Sequence, residues 1–303
     1  MQGRQSRPLI ENNQINFCRC AAITTNLDVK ANMVSNSMNL NESGIEVYNN
    51  QSTIIDNIIE RSHENGIKIT GTDKSQMCTA VVWKNRIISC GFNGILIQGD
   101  QCKPDVRGNI IQQNRRAGIK LTELAVAHIG GTTKADIKFI PTSERDKQAN
   151  NTFQTAKVEA AQIFEEENKQ GNEYFLESER EGNIGGGNKI NKLQELHVNV
   201  NSHTIALKVK SFPNANVIEN NYNQGILIVE GSYAHIISNK IEGNIKANVA
   251  LGGKKSGQTK IKYNYILNSK SGEGVFVIEG EDGLVIEDNQ IESNNDGIVL
   301  VNS

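Results

Sequence analysis

The side chains able to do chemistry in this chain are thinly spread. Acid–base or Ca2+ chemistry needs two or three carboxylates gathered on neighbouring segments, with Arg or Lys close by. Asp282, Asp288 and Asp296 gather near the C-terminus, at positions that suit turns. His63, His128, His197, His203 and His235 lie far apart, and none stands at a metal-ligand spacing from a Cys or another His. The cysteines, Cys18, Cys20, Cys78, Cys90 and Cys102, are odd in number and confined to the first third. Cys18 and Cys20 are the one close pair, and the set reads as reduced structural thiols, not a zinc site or disulfide framework. Gly182 to Lys189 is glycine-rich in the manner of a phosphate-binding loop. Asn188 before Lys189 and Ile190 after it break the Gly-Lys-Ser/Thr ending such a loop requires, so it reads as a flexible linker. No metal, no cofactor and no catalytic residue is expected.

What would position any site is a repeat. Asn57 to Ile69, Asn85 to Ile97 and Asn109 to Leu121 share a pattern of Asn, then Ile, then Gly-Ile-x-Ile, with the Gly nine residues after the Asn each time. Asn36 to Val47 is an earlier copy, and Asn13 to Ile23 is the first, with Ala22 in the place of the Gly. Pro is scarce and aromatic residues make up 5% of the chain, while β-branched pairs such as Ile54-Ile55 and Ile58-Ile59 recur between Asn and Gly. Short strands separated by tight turns suit that composition. A period a little over twenty residues is too short for a helix pair, and the leucine-rich and Trp-Asp repeat signatures are absent. The expected fold is all-β, a right-handed single-stranded parallel β-helix of about ten or more turns.

That fold gives each residue type a task. Ile45, Ile67, Ile95 and Ile119 should stack as one inward column, and Val47, Ile69, Ile97 and Leu121 as another. Each such burial stabilises by roughly 1.5–3 kcal/mol. Asn57, Asn85 and Asn109 are expected at corners, adopting left-handed backbone angles and bonding to the Asn of the next turn. Gly66, Gly94 and Gly118 are expected where a Cβ would be crowded.

The pattern lapses from Thr122 to about Asn201. Phe153, Ala156, Ala160, Ile163 and Phe164 share one helical face, so residues 1–303 are expected to form a single β-helix domain with an insertion at about 141–192 that contains a helix at about 153–169. Ala135 to Ile140 reads as one more strand. The array is expected to resume near His203 to Leu207 and to continue from Asn220, Asn239, Asn264 and Asn289. Asn114, Asn244 and Asn294 each lie five residues after a corner Asn and suggest a partial second ladder.

Lys103 to Ile111 followed by Ala117 to Leu121, and more loosely Asn216 to Ile228 and Leu284 to Leu300, resemble the parallel β-helix repeat family described as carbohydrate-binding proteins and sugar hydrolases. Within it the chain is most similar to the β-helix of F-box ubiquitin-ligase adaptors and of Shc-binding, spindle- and cilium-associated proteins. The resemblance covers about residues 8–121 and 203–301, and no F-box segment accompanies it. It implies an intracellular β-helix that holds other proteins, cytoplasmic and in a cytoskeletal or ciliary setting. Polysaccharide-cleaving enzymes share the fold, so a carbohydrate-binding or carbohydrate-cleaving protein is the alternative. The Asn-Thr-Asp, Asp-Asp and Gly-His-Gly patterns of polygalacturonases are absent.

The outward positions of the Gly-Ile-x-Ile strand decide between them. They read Glu46, Lys68, Leu96, Lys120, Leu227, Ala250, Phe276 and Val299, which includes a single carboxylate. In the second half both outward positions turn apolar: Leu227 with Val229, Phe276 with Ile278, and Val299 with Val301. Soluble monomers seldom leave such a strip to water, so a cover is expected, either the helix of the insertion or, preferred here, a partner protein. The open ends of the β-helix are expected to be capped by neighbouring proteins or to belong to a longer chain. A net charge of −2 and an isoelectric point near 6.3 favour neither nucleic acid nor an anionic membrane as partner.

Overall fold

The computed structural model describes residues 6–27, 29–130, 138–141, 194–200, 203–210, 215–253, 258–280 and 283–302, with backbone alone for 138–141, 194–200 and 203–210. The chain divides into two compact units, residues 1–131 with 214–303, and residues 132–213.

The first unit is a parallel β-helix of three nine-stranded sheets. Every coil gives one short strand to each sheet. The first sheet runs from Leu9–Glu11 to Val285–Glu287 and the second from Gln14–Asn16 to Gln290–Glu292. The third sheet numbers the coils 1 to 9: Ala21–Asn26, Ser43–Tyr48, Ile67–Thr70, Ile95–Gln98, Ile119–Thr122, Ile226–Ile228, Val249–Gly252, Val275–Ile278 and Ile298–Val301. The inward column is in register as the repeat implies: Ile45, Ile67, Ile95, Ile119, Ile226, Val249, Val275 and Ile298 pair in succession. All from Ile45 to Val275 are fully buried, whereas Ile298, with no described coil over it, is 47% exposed.

The corner asparagines form a continuous ladder, buried from Asn36 to Asn264. The Nδ2 of Asn13, Asn36, Asn57, Asn85, Asn109, Asn216, Asn239 and Asn264 each donates to the Oδ1 of the Asn one coil on, ending at Asn289. The left-handed backbone is not theirs, contrary to expectation. It falls on the preceding residue: Asp56, Lys84, Gly108, Ser238, Tyr263 and Asp288 all have φ between 53° and 64°. The amide of the corner Asn closes over that residue, as Asn57 Nδ2 does to Ile55 O at 3.0 Å and Asn85 Nδ2 to Trp83 O at 3.1 Å. A Lys or Tyr in that conformation costs about 1–2 kcal/mol, and the clamp and ladder offset it, so side-chain type there is free to vary.

The second ladder runs Asn114, Asn221, Asn244. In coil 8 Ser269 is too short to continue it. Asn248 stands where other coils have Gly and bridges the gap, accepting from Asn244 Nδ2 at 2.8 Å and donating to Asn294 Oδ1 at 2.9 Å. The glycines work by close approach. A Cβ on Gly94 would lie 2.4 Å from Ile111 Cγ2 and 2.7 Å from Gly118 O.

Three expectations about the array need correction. Residues 203–207 are not a coil. His203–Lys210 pairs antiparallel with both Gln194–Val200 and Lys138–Pro141, making the three-stranded sheet of the second unit. The alternating Leu196, Val198, Val200 and Ile205, Leu207, Val209, joined by two residues, are a hairpin pattern, and so tight a connection joins only antiparallel strands. The β-helix resumes at Asn216, the true corner, not at Asn220, and the described residues make nine coils rather than ten or more. The helix expected at 153–169 and the Gly182 to Lys189 segment lie outside the described residues.

Candidate functional site: the outer face of the third sheet

Alternation along each third-sheet strand sends one residue inward and the next outward. The outward column reads Lys120, Leu227, Ala250, Phe276, Val299 over coils 5 to 9, each directly paired with the next. Two residues along, Gly252, Ile278 and Val301 pair in turn. Ala250 is buried, Leu227, Val229, Phe276, Val299 and Val301 are half-buried, and Ile278 is 39% exposed. Gly252 does not interrupt the strip: its Cβ position lies 3.3 Å from Ile278 Cγ2 and 3.8 Å from Val229 Cγ1, so these side chains close over it. All six residues singled out from sequence therefore share one face. Toward coil 1 the same face is polar, with Glu46 accepting a hydrogen bond from the Tyr48 hydroxyl at 2.8 Å. Burial and the neighbouring Glu46 carboxylate push the Tyr48 phenol up to about 12.

The strip has charged borders that the sequence reading missed. On the side where strands enter, the connections from the second sheet carry exposed Arg115 and Arg116 in coil 5, exposed Tyr222 in coil 6, Lys246 in coil 7 and Lys270 in coil 8. Backbone bonds hold these connections in register, with Tyr222 N donating to Asn114 O and Lys270 N to Asn244 O. Arg116 lies over the Phe92 ring at 4.1 Å. On the side where strands leave stand exposed Glu123, Glu230 and Glu279, in coils 5, 6 and 8. Each follows an inward Ile or Val by four residues, and that fixed offset was the available signal.

The chemistry-bearing residues do not converge on this face. Asp288 holds a left-handed corner and Asp296 an exposed turn, while Asp282 lies outside the described residues. His128 is in a first-sheet strand and pairs directly with His235 one coil on, flanked by Asp105 and Lys260 in the same column. Sequence separation across the second unit hid that pair. Asp105 is ion-paired with Arg107, and His235 is held below the usual imidazole range by burial, then by Lys260 and His128. Such a column does not offer a free carboxylate base. The close cysteine pair in space is Cys78 and Cys102, bridged on adjacent coils and buried; their thiol–thiol hydrogen bond and burial hold Cys102 above the usual thiol range. Burial likewise pushes Cys90 up to about 12. Among the described residues no group of three His, Cys, Asp or Glu side chains could hold a metal ion.

Comparison with known proteins agrees with the geometry at the level of fold. Residues 43–133, from the third-sheet strand of coil 2 through the first-sheet strand of coil 6, match the family model described as a right handed beta helix region. No curated protein and no solved structure matches the chain.

Proposed function

We propose that this right-handed parallel β-helix is a scaffold that docks another protein on the outer face of its third sheet, with no catalytic role. The contiguous apolar strip Leu227, Val229, Phe276, Ile278, Val299 and Val301 carries the reading. A face whose first coils are polar and whose last four are apolar has a local reason for the change, and the core, which lies on the opposite side of the strand, does not supply it. The placement of the chain in a cytoplasmic assembly, cytoskeletal or ciliary, is supported by the family resemblance and by five free cysteines. The test is capture of protein partners by the tagged full chain, compared with Phe276→Lys and Val299→Lys. Both outward substitutions should abolish capture and leave the circular-dichroism spectrum unchanged. Undiminished capture by both variants would refute the assignment of the strip.

A further inference from the structure

The charged borders say which partner the strip fits. Cations stand on the side where strands enter and carboxylates on the side where they leave, so the face has a polarity across the strands. Two copies packed face to face are related by a two-fold axis lying in the plane between them. If that axis runs along the strands, each border meets its own kind, cation on cation and carboxylate on carboxylate. If it runs along the β-helix axis, strand direction reverses while coil number is kept, and each cationic border meets the partner copy's acidic one. The coils then match: Arg115 and Arg116 face Glu123 at coil 5, Lys246 lies against Glu230 across coils 6 and 7, and Lys270 faces Glu279 at coil 8. The exceptions on the cationic border are Glu273, half-buried, and Asp296, whose carboxylate accepts from Asn295 Nδ2 and which would face the neutral Asn302 in coil 9. Among the described residues the acidic border carries no cation; Lys254 and Lys255, which follow Gly253 in coil 7, lie outside them.

We infer that the docking strip, on the reading proposed above, takes a second copy of this chain in a two-fold dimer whose axis runs along the β-helix. The apolar centres, Leu227, Phe276 and Val299, meet their own counterparts across the axis; Lys120, the outward residue of coil 5, would meet its own copy, a like-charge contact that ends the apolar interface at coil 6, and the borders form the polar rim. A heterologous partner would need one matching border, whereas self-association needs both borders opposite and at the same coils. Four coils at about 4.8 Å and a width of about seven residues give roughly 400 Å2 of face per copy. That lies below the size of a standard stable interface, so the dimer is a weak, reversible one.

Sedimentation equilibrium of the full chain measures it. The expected result is a monomer–dimer equilibrium that weakens about tenfold between 50 and 500 mM salt as the border pairs are screened. Glu230→Lys with Glu279→Lys makes both borders cationic over coils 6 to 8, and Lys246→Glu with Lys270→Glu makes both acidic there, with the Arg115, Arg116 and Glu123 set of coil 5 unchanged in each. Lys84 shows that a lysine adopts the left-handed angle those glutamates hold. Each double variant alone should be monomeric, while an equimolar mixture should dimerise as well as the parent chain or better. A destabilised fold could not produce that rescue. A parent chain that remains monomeric near 1 mM, or a mixture that fails to dimerise, overturns the inference. If the chain stays monomeric while Phe276→Lys still abolishes capture of a different protein, the docking reading stands and the second copy does not. A dimer unaffected by Phe276→Lys lies elsewhere on the molecule and overturns the inference as well.

Discussion

Gly94 and Gly297 occupy the same place in the repeat, one in coil 4 near its middle and the other in its last coil, yet alanine should have opposite effects at the two. At Gly94 the added Cβ would meet Ile111 Cγ2 at 2.4 Å and Gly118 O at 2.7 Å. The first is the methyl of a fully buried β-branched side chain and the second is backbone tied into the ladder by its bond from Ile95 N at 2.9 Å. Neither can yield without moving coil 5, so Gly94→Ala should cost about 2–3 kcal/mol, the upper part of the range for overpacking. At Gly297 nothing lies within 4 Å, and its φ is not left-handed. There alanine only restricts the unfolded chain, and Gly297→Ala should stabilise by up to about 0.5–1 kcal/mol. Urea unfolding followed by far-ultraviolet circular dichroism reads both, with slopes compared to confirm that the same surface unfolds. Equal midpoints for the two variants would refute the argument that close approach, and not backbone freedom, selects glycine here.

The asparagine ladder should show a similar gradient from centre to end. Asn85→Ala strips the buried Asn57 N–H and Ile54 O of their partners at 3.0 and 2.9 Å and should cost about 3–4 kcal/mol, whereas at Asn289, in the half-exposed last coil, water can replace the amide and the cost should be about 1 kcal/mol, both measured by the same urea titration. Native alkylation followed by mass spectrometry should label Cys20 and Cys18 first and leave Cys78, Cys90 and Cys102 unmodified until the fold opens. Cys90 stays a neutral thiol in the fold up to about 12, while in the unfolded chain it ionises from about 8.5, so stability should fall as pH rises across that window, and Cys90→Ala should flatten the fall. His235 is depressed, so the stability it contributes is present above the unfolded imidazole value and lost as pH falls below about 6.5; His235→Gln should flatten that acid limb in thermal melts.

The coil pattern was legible because a β-helix repeats its constraints. The nine-residue interval from Asn to Gly marks one corner and one close approach, and the inward column follows from alternation between them. Legibility failed where that logic does not act. His203 to Leu207 was read as a coil because an apolar alternation marks a strand without saying what it pairs with. The left-handed positions were misassigned because their side chains, Lys84 and Tyr263 among them, bear no trace of the conformation; the residue that permits it is the Asn after them. His128 with His235, and Cys78 with Cys102, became neighbours only once the coils were stacked. The six strip residues were legible for the same reason as the core, because outward positions alternate with inward ones.

Function has to be sought in what the repeat leaves undetermined. Inward Ile, corner Asn and close-approach Gly are consumed by the fold, and their substitution is felt in every adjacent coil. Outward positions carry no such duty: Glu46, Lys68, Leu96 and Lys120 occupy equivalent sites in coils 2 to 5 with unlike side chains, and each strand still pairs in register. An unconstrained outward position facing water would be expected to drift polar, since polarity there costs the core nothing. Coils 6 to 9 are instead apolar at both outward positions wherever the residue is not Gly252 or the buried Ala250. The borders add a second regularity that pairing does not require: Glu follows the inward residue by four in coils 5, 6 and 8, opposite cations before the strands of coils 5, 7 and 8. Two independent biases on positions the fold leaves free, one apolar over coils 6 to 9 and one electrostatic over coils 5 to 8, overlap in the second half of the array, and that overlap is the ground on which the docking proposal rests.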